Sequence, residues 1–479
     1  MVTNSGQKLI IILSILYISS SLFSQAFAAP GDQPLLTQSS LTYLGAFRLP
    51  NGSSDQNTFA WGGTGMAINL VQNSLYIVGH DWYQRLAEVS IPSLGTGTNV
   101  ASLPIATLIQ PFTEAFEGKM IQINPSDPNS KKAGSLLVAN NKLYMGAWSY
   151  YDGAGTQTAS QFVRPLSLST TGQVVGPVKV GNTYPGWIDM YAGTIPPEWQ
   201  SSFGGPVLTG GCCVSIISAQ SLGPSASVFN PADVGSKNPV PATLVVGYPY
   251  SNPTLGTWEG SGSPNPLYNM TTSVKGVVFP QGSRSVLFFG STGLGKPCYG
   301  TGIQCSDLEG ASKGTHAYPY TSYVWAYDAN DLLSVKNGQK KSYDIRPYAT
   351  WQLNLSFASG PERIGGAAYD PASQKIYILG EHGDSDSPVV QVYKLNLAGG
   401  SYSYSQSSYV SGTPTPTPTP SPTGGLRGDL NNDRIINSLD WSIMNSKWFT
   451  ADAAADLNSD GIVNSLDFSI MNGNWLKTI

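Results

Sequence analysis

The chain has 479 residues and a net charge of −4, and only 11% of its residues are charged, against about 25% in ordinary soluble domains. There is no basic footprint for nucleic acid. With 53 Gly and 25 Tyr, the composition suits a Gly-turned, aromatic-rich β protein with a polar but uncharged surface.

In chain order, the first feature is a targeting segment. Lys8 is the one early charge, the apolar stretch "LIIILSILYISSSLF" follows it, and "AFA" places small residues at 26–28. This order predicts a signal peptide over 1–28, cleaved after Ala28, and export of the rest. The fully apolar run is shorter than the ~20 residues a bilayer needs. No later stretch is apolar enough to span a membrane.

Residues 30–409 read as one large β domain with a worn internal repeat. Four stretches share an order of polar turn, apolar strand with aromatics, then a small residue: "NSLYIVGHD" (73–81), "NKLYMGAWS" (141–149), "RSVLFFGST" (284–292) and "QKIYILGEH" (374–382). Strands with small residues precede two of them, "GTGMAINLVQ" and "IGGAAYDPAS". A third apolar run follows each: "RLAEVSIP", "QFVRPLSLS", "YVWAYDAND" and "VVQVYKLN". The alternation predicts sheets with one face buried on a neighbour. Repetition of a small antiparallel sheet at intervals above ~40 residues is the mark of a β-propeller. Five to seven blades are expected, one of them hidden around "GGPVLTGGCCVSIISAQ". The early segment "LTYLGAFRLP" is expected to lend a strand to the last blade and close the ring. A β-sandwich or a β-helix is the alternative. No helix-period stretch of useful length appears in this region.

Export makes the four cysteines readable, because an oxidising compartment favours disulfides. Cys212 and Cys213 are adjacent, and Cys298 and Cys305 flank a Gly-rich loop. Four cysteines allow three connectivities. The simplest joins 298 to 305 and leaves 212 and 213 as a strained vicinal disulfide or two thiols; the alternative ties the two segments together by two bridges.

His80 and His382 stand just after comparable strands, in "GHDW" and "GEHGDSD", near Asp81, Glu381, Asp384 and Asp386; His316 stands in "GTHAYPY". Convergence on one face of a ring would allow a metal or acid–base site. Turn capping in Gly-rich loops explains the same residues more plainly. Carboxylates beside aromatics, namely Asp81 with Trp82, Glu198 with Trp199 and Glu259 with Trp258, are the places to look for sugar chemistry, which needs two carboxylates ~5–10 Å apart. No catalytic residue is assigned from the sequence.

"SGTPTPTPTPSPTGG" at 411–425 is a linker, since alternating Pro and Thr hold extended segments with nothing apolar to bury. Beyond it, 429–440 read "DLNNDRIINSLD" and 456–467 read "DLNSDGIVNSLD". Asp429, Asn431, Asp433 and Asp440 take positions 1, 3, 5 and 12 of the first window; Asp456, Asn458, Asp460 and Asp467 take them in the second. Ile435 and Ile462 offer their backbone carbonyls at position 7. Alternate oxygen-bearing side chains closed by a carboxylate suit Ca²⁺, which takes six to eight oxygens. Position 12 is Asp where the EF-hand has Glu, and position 6 is Arg434 in the first copy but Gly461 in the second. A helix-period segment follows each loop, "LDWSIMNSKWF" and "LDFSIMNGNWL".

The duplicated pattern over 426–479 resembles a type I dockerin module. The resemblance implies a small α-helical domain of paired loop–helix, EF-hand-like motifs that folds around two Ca²⁺ ions. It implies docking onto a cohesin domain through the residues before each last Asp, here Ser438 and Leu439, and Ser465 and Leu466. Proteins bearing such modules are commonly carbohydrate-active and extracellular, some within cellulosomes. The expected protein is therefore secreted, in solution or in a cell-surface complex, with a propeller that degrades polysaccharide by hydrolysing O-glycosyl bonds. The alternative is a non-catalytic module that binds carbohydrate or protein.

Overall fold

The computed structural model describes residues 29–127, 130–213, 220–258, 263–358, 360–361 and 363–397, and in the tail 428–431, 433, 435–448, 450–458, 463, 467–468, 470–471 and 474. The expected signal peptide and linker lie outside these. The chain divides into two compact units, Met1–Tyr409 and Val410–Ile479.

Five four-stranded antiparallel sheets make up the first unit. Strand β1 (Leu41–Arg48) comes first in the chain but belongs to the last sheet. Blade 1 follows: β2 (Met66–Asn69), β3 (Ser74–Val78), β4 (Leu86–Ser90) and β5 (Leu108–Thr113). Blade 2 is β6 (Lys131–Ala139), β7 (Lys142–Ser149), β8 (Gln161–Pro165) and β9 (Val175–Val178). Blade 3 is β10 (Tyr191–Thr194), β11 (Val207–Gly210), β12 (Ala226–Phe229) and β13 (Ala242–Val246). Blade 4 runs β14 (Ser273–Val278), β15 (Ser285–Gly293), then an excursion holding the ribbon β16 (Cys298–Gly300) and β17 (Gly314–His316), then β18 (Tyr320–Asp328) and β19 (Ala349–Gln352). Blade 5 is β20 (Ile364–Asp370), β21 (Lys375–Asp384) and β22 (Ser387–Leu395), with β1 as its outer strand. β1 pairs β22 from Leu41 with Leu395 to Arg48 with Val389, so the two ends of the domain close the ring as expected.

This is a five-bladed β-propeller. The hidden blade is blade 3, whose β11 is the "VLTG" of the predicted stretch. Two short helices interrupt the β pattern, α1 (Pro197–Phe203) and α2 (Ala329–Lys336). A span of seven or eight residues is too short to show a helical period in sequence.

The middle strands are buried on both faces rather than on one. Every residue of β3 is buried. Leu75 and Ile77 pack with Tyr377, Leu379 and Val390 of blade 5, while Tyr76 and Val78 pack with Leu136, Met145 and Ala147 of blade 2. β15 repeats the arrangement: Val286 and Phe288 meet blade 3, Leu287 and Phe289 meet blade 5. Each blade is thus a layer between two others, which is why these strands read as continuous apolar runs.

At the axis the innermost strands meet backbone to backbone. A Cβ on Gly134 would lie 2.1 Å from the Asp189 carbonyl oxygen, and one on Gly193 would lie 2.4 Å from that of Val277. Gly65 stands against Gly134, Gly276 against Ala367 and Gly365 against Gly63. The small residues before the apolar strands therefore close a narrow ring.

The second unit is built on the repeat. Its helix α3 (Ser438–Ser446) starts with Asn437 accepting from the Leu439 N–H at 2.8 Å and Asp440 accepting from the Asn437 N–H at 2.9 Å, a capping box. Ile436, Met444, Leu457, Val463 and Met471 form the core, with Leu430, Trp441 and Phe468 against it. Ile436 and Val463, Met444 and Met471, Leu430 and Leu457, and Trp441 and Phe468 are counterparts in the two copies, while buried Ala455 answers to Gly428, so most of the core is a two-fold repeat of one motif.

Candidate functional site

The acidic loop of the first copy curls as its spacing demands. Asp429, Asp433 and Asp440 each bring a carboxylate oxygen to within 4.8 Å of the others. The curl is held by backbone donors: the Asp433 N–H gives to Asp429 Oδ1 at 3.1 Å and to Asn431 Oδ1 at 2.9 Å, and the Ile435 N–H gives to Asp433 Oδ1 at 2.9 Å. Asn431 Nδ2 donates to Asp433 Oδ2 at 2.8 Å. Asp440 is fully buried and accepts from the N–H groups of Leu430 at 2.7 Å and Asn431 at 3.1 Å. A cation with metal–oxygen distances of ~2.3–2.6 Å spans oxygens at these separations, so the donor set fits a hard divalent ion.

The second copy repeats the key bond. Asn458 N–H donates to Asp467 Oδ1 at 3.0 Å, where Asn431 donates to Asp440, and Asp467 is likewise fully buried. Asp456 is partly buried and its N–H bonds the Asp452 carbonyl at 2.9 Å. Asp460, Ile462, Ser465 and Leu466 lie outside the described residues, as does the Ser438 side chain. Leu439 is 59% exposed, an apolar side chain left in water beside the loop.

On the propeller, the loops entering each inner strand and the loops after each second strand share one end of the ring. His80 and His382 do converge there. The His382 ring meets the edge of Trp61 with centroids 4.8 Å apart. His80 lines one cavity with Trp61, Trp82, Tyr83, Thr58 and Asp55. Trp61 has a left-handed backbone, φ 56°. It is held by its N–H to the Asp386 carbonyl at 2.7 Å and by its carbonyl from the Asp81 N–H at 3.0 Å.

Three carboxylates near this end are held in ion pairs. Asp81 pairs with Lys132 at 2.5 Å, Asp384 with Arg48 at 3.3 Å, and Glu309 with Arg363 at 2.8 Å. His316 is elsewhere, buried in the blade 4 excursion. Its Nδ1 meets Asp307 Oδ2 at 2.5 Å, and Tyr320 donates to the same oxygen. Burial alone would raise the Asp307 carboxyl, but the bonds from Tyr320, His316 and the Glu309 and Gly310 N–H groups outweigh it and hold it at about 2. Glu198 accepts from the Gly282 N–H at 2.9 Å and Trp199 is buried in the core, so that pair is structural. Glu259 lies outside the described residues. Cys212 bonds Cys213 and Cys298 bonds Cys305, the simplest of the three pairings.

Two residues here escape a sequence reading. One is Trp61, whose role needs the blade 5 loop beside it. The other is Asp189, before β10, fully buried with φ 67°. Thr209 Oγ1 donates to its Oδ1 at 3.1 Å, and its carbonyl accepts from the Ser135 N–H at 2.8 Å. Its Oδ2 has no hydrogen-bond partner. Burial pushes the carboxyl up to about 7, against the pull of the nearby Ser160 hydroxyl and the Thr209 bond.

Fold and loops together define a five-bladed propeller joined to a duplicated acidic loop–helix module. The module is a dockerin type I domain: residues 427–474 match that family, which bears out the resemblance read from the tail. No curated protein matches the chain. Among solved structures, the propeller resembles the arabinanase Arb43A of Bacillus subtilis, at 11% identity and TM-score 0.37 over 73% of this chain and 96% of that one. A glycosyl hydrolase from Bacteroides ovatus gives 12% and 0.37 over 76% and 97%. A luciferin-regenerating enzyme gives 8% and 0.30 over 72% and 94%. Likenesses this low separate no activity from another. No helix among the described residues is long and apolar enough to cross a membrane.

Proposed function

We propose that this is an exported protein whose tail closes around two Ca²⁺ ions and plugs into a cohesin-type partner, bringing its propeller to polysaccharide. Asp429, Asn431, Asp433 and Asp440 would hold the first ion with the Ile435 carbonyl. Asp456, Asn458, Asp460 and Asp467 would hold the second with the Ile462 carbonyl. The observation that carries the reading is the carboxylate cluster of Asp429, Asp433 and Asp440. A unit this small buries too little apolar surface to be stable on its own, and cation binding supplies the missing stability. The exposure of Leu439 supports a partner contact through Ser438 and Leu439, and by the repeat through Ser465 and Leu466. The test is calorimetric titration of the chelated full chain: two ions per chain and Ca²⁺-dependent capture of a cohesin are expected, and no uptake at millimolar Ca²⁺ refutes the reading.

For the propeller, the paired state of Asp81, Asp384 and Glu309 favours holding glycan over cleaving it. Hydrolysis of O-glycosyl bonds is the second reading. Release of reducing sugar from a polysaccharide panel by the full chain decides between the two.

A further inference from the structure

Resting on the glycan-directed reading above, we propose that the cleft between residues 52–61 and 80–83 is a subsite for one neutral pyranose ring of a polysaccharide chain. Trp61 and Trp82 are its stacking platforms and His80 is its hydroxyl donor.

The cleft has a volume of about 630 Å³, within the ~300–1,000 Å³ typical of small-molecule sites. Trp61 is 53% exposed and Trp82 is 80% exposed. Large aromatics are the residues with most to gain from burial, so two of them left open over one cleft point to a ligand. The exposure of Trp61 is enforced rather than incidental. A left-handed backbone is unfavourable for a bulky side chain, yet Trp61 is fixed there by bonds to two other loops. His382 stands at the edge of its ring and so limits its rotation.

His80 is oriented in the same way. Its N–H donates to the Thr58 carbonyl at 2.9 Å, and its Nδ1 accepts from the Trp82 N–H at 3.0 Å. In the neutral ring the proton then sits on Nε2, which is left to donate. The polar part of the remaining lining comes from Ser53, Ser54, Asp55, Thr58 and Tyr83, with Gly52 and Ala60 between them. These offer hydroxyl and carboxylate oxygens around two apolar faces. A sugar ring has the same make-up, an apolar C–H face ringed by hydroxyls. An anion would meet Asp55 and no cationic side chain in this lining. A quaternary ammonium would also suit the Trp faces, but it would leave the hydroxyls and His80 without a role.

The experiment is affinity electrophoresis of the full chain, with Ca²⁺ present, in gels holding xylan, glucomannan or mixed-linkage β-glucan. Calorimetry with hexasaccharides of the best of these follows. The variants are Trp82→Ala, Trp61→Ala and His80→Gln, with cohesin capture reporting on the tail. Trp82→Ala is chosen because so exposed a side chain contributes little to folding. The proposal expects binding that weakens at least ~10-fold in Trp82→Ala and Trp61→Ala, and by less in His80→Gln. Binding unchanged in both Trp variants overturns the subsite and leaves the glycan-directed reading standing. Failure to bind any glycan overturns both, and binding of tetramethylammonium at the cleft with no glycan bound does the same.

Discussion

Replacing Asp189 by Asn isolates one buried carboxyl and its cost. Asp189 is completely buried between blades 2 and 3, and its carboxyl titrates at about 7 in the fold against 3.8 ordinarily. Below pH 3.8 the group is protonated in the folded and unfolded chain alike and costs nothing. As pH rises towards 7 the unfolded chain loses the proton while the fold keeps it, so stability falls. Above 7 the penalty is complete. One pKa unit corresponds to ~1.4 kcal/mol, so the cost has a ceiling of about 4 kcal/mol. Asn has the same shape, cannot ionise and is among the residues that best tolerate a left-handed backbone. Asp189→Asn should therefore exceed the parent by only about 1 kcal/mol near pH 4.5 and by about 2–4 kcal/mol at pH 8. Urea unfolding of both proteins at pH 4.5, 6 and 8, with Ca²⁺ held constant, gives the difference. A stability gap that does not change with pH refutes the burial argument. A gap of the opposite sign at pH 8 refutes it more strongly.

Asp440→Ala removes one of the proposed cation ligands, three N–H acceptances and the N3 half of the α3 capping box together; on the proposed reading, titration should then find one Ca²⁺ per chain instead of two, with lower helical ellipticity. Gly134→Ala forces a methyl to 2.1 Å from the Asp189 carbonyl oxygen; overpacking of this kind costs roughly 1–3 kcal/mol or more, and thermal melts should show a clear drop that Gly172→Ala, at an open turn, would not share through crowding. Asp307→Asn should destabilise the blade 4 excursion at pH 7 and be silent near pH 2, because a carboxyl held at about 2 stabilises the fold above pH 4 and loses that effect as pH falls through 2. Limited proteolysis between residues 294 and 319 is the readout, and equal protection of both proteins at pH 7 would contradict it.

The parts of this fold written in sequence are those that local chemistry decides. The curl of the first acidic loop is one of these, since alternate Asx residues bring Asp429, Asp433 and Asp440 together through their own spacing. The closing role of β1 was readable because "LTYLGAFRLP" is a strand with no partner of its own before the first blade. Blade 3 was harder. Its strands are four or five residues long, and so short a run sets no period. The blade count was hidden by the excursion between β15 and β18, which places the second and third strands of one sheet far apart in the chain. Burial on both faces of β3 and β15 was not legible either, since it depends on two neighbouring blades rather than on the strand. Asp189 could not be found at all: its partners, Ser135 and Thr209, belong to blades 2 and 3, and "GWIDMYAGT" carries no pattern that announces a buried carboxyl.

On the proposed glycan-directed reading, the geometry of the axis bears on where the propeller would meet a polymer. Five blades leave less central space than six or seven, and here the inner strands approach until only Gly fits between them. The ends of the ring then differ in character. At the exits of the inner strands lies a cavity of about 260 Å³ lined by Met66, Ile68, Leu136, Val277 and Tyr369 among others. Most of that lining is apolar, with Asn140, Thr194, Gln200, Gln281 and Tyr369 supplying its polar side-chain atoms, and a sugar hydroxyl buried there without one of them would be costly. The opposite end carries the long loops, the exposed tryptophans and the histidines that the two outermost repeats bring together across the closure of blade 5 on blade 1. A glycan chain held there lies across the rim rather than along the axis. It would contact first the loops of blades 1 and 5, which are fixed to each other by the Trp61 to Asp386 bond. That arrangement makes ring closure by β1 a condition of the site as well as of the fold: a chain lacking residues 41–48 should lose glycan retention even in the fraction that remains soluble, while its tail still takes up Ca²⁺. Retention of glycan by that truncated protein would place the contact on blades 2 to 4 instead.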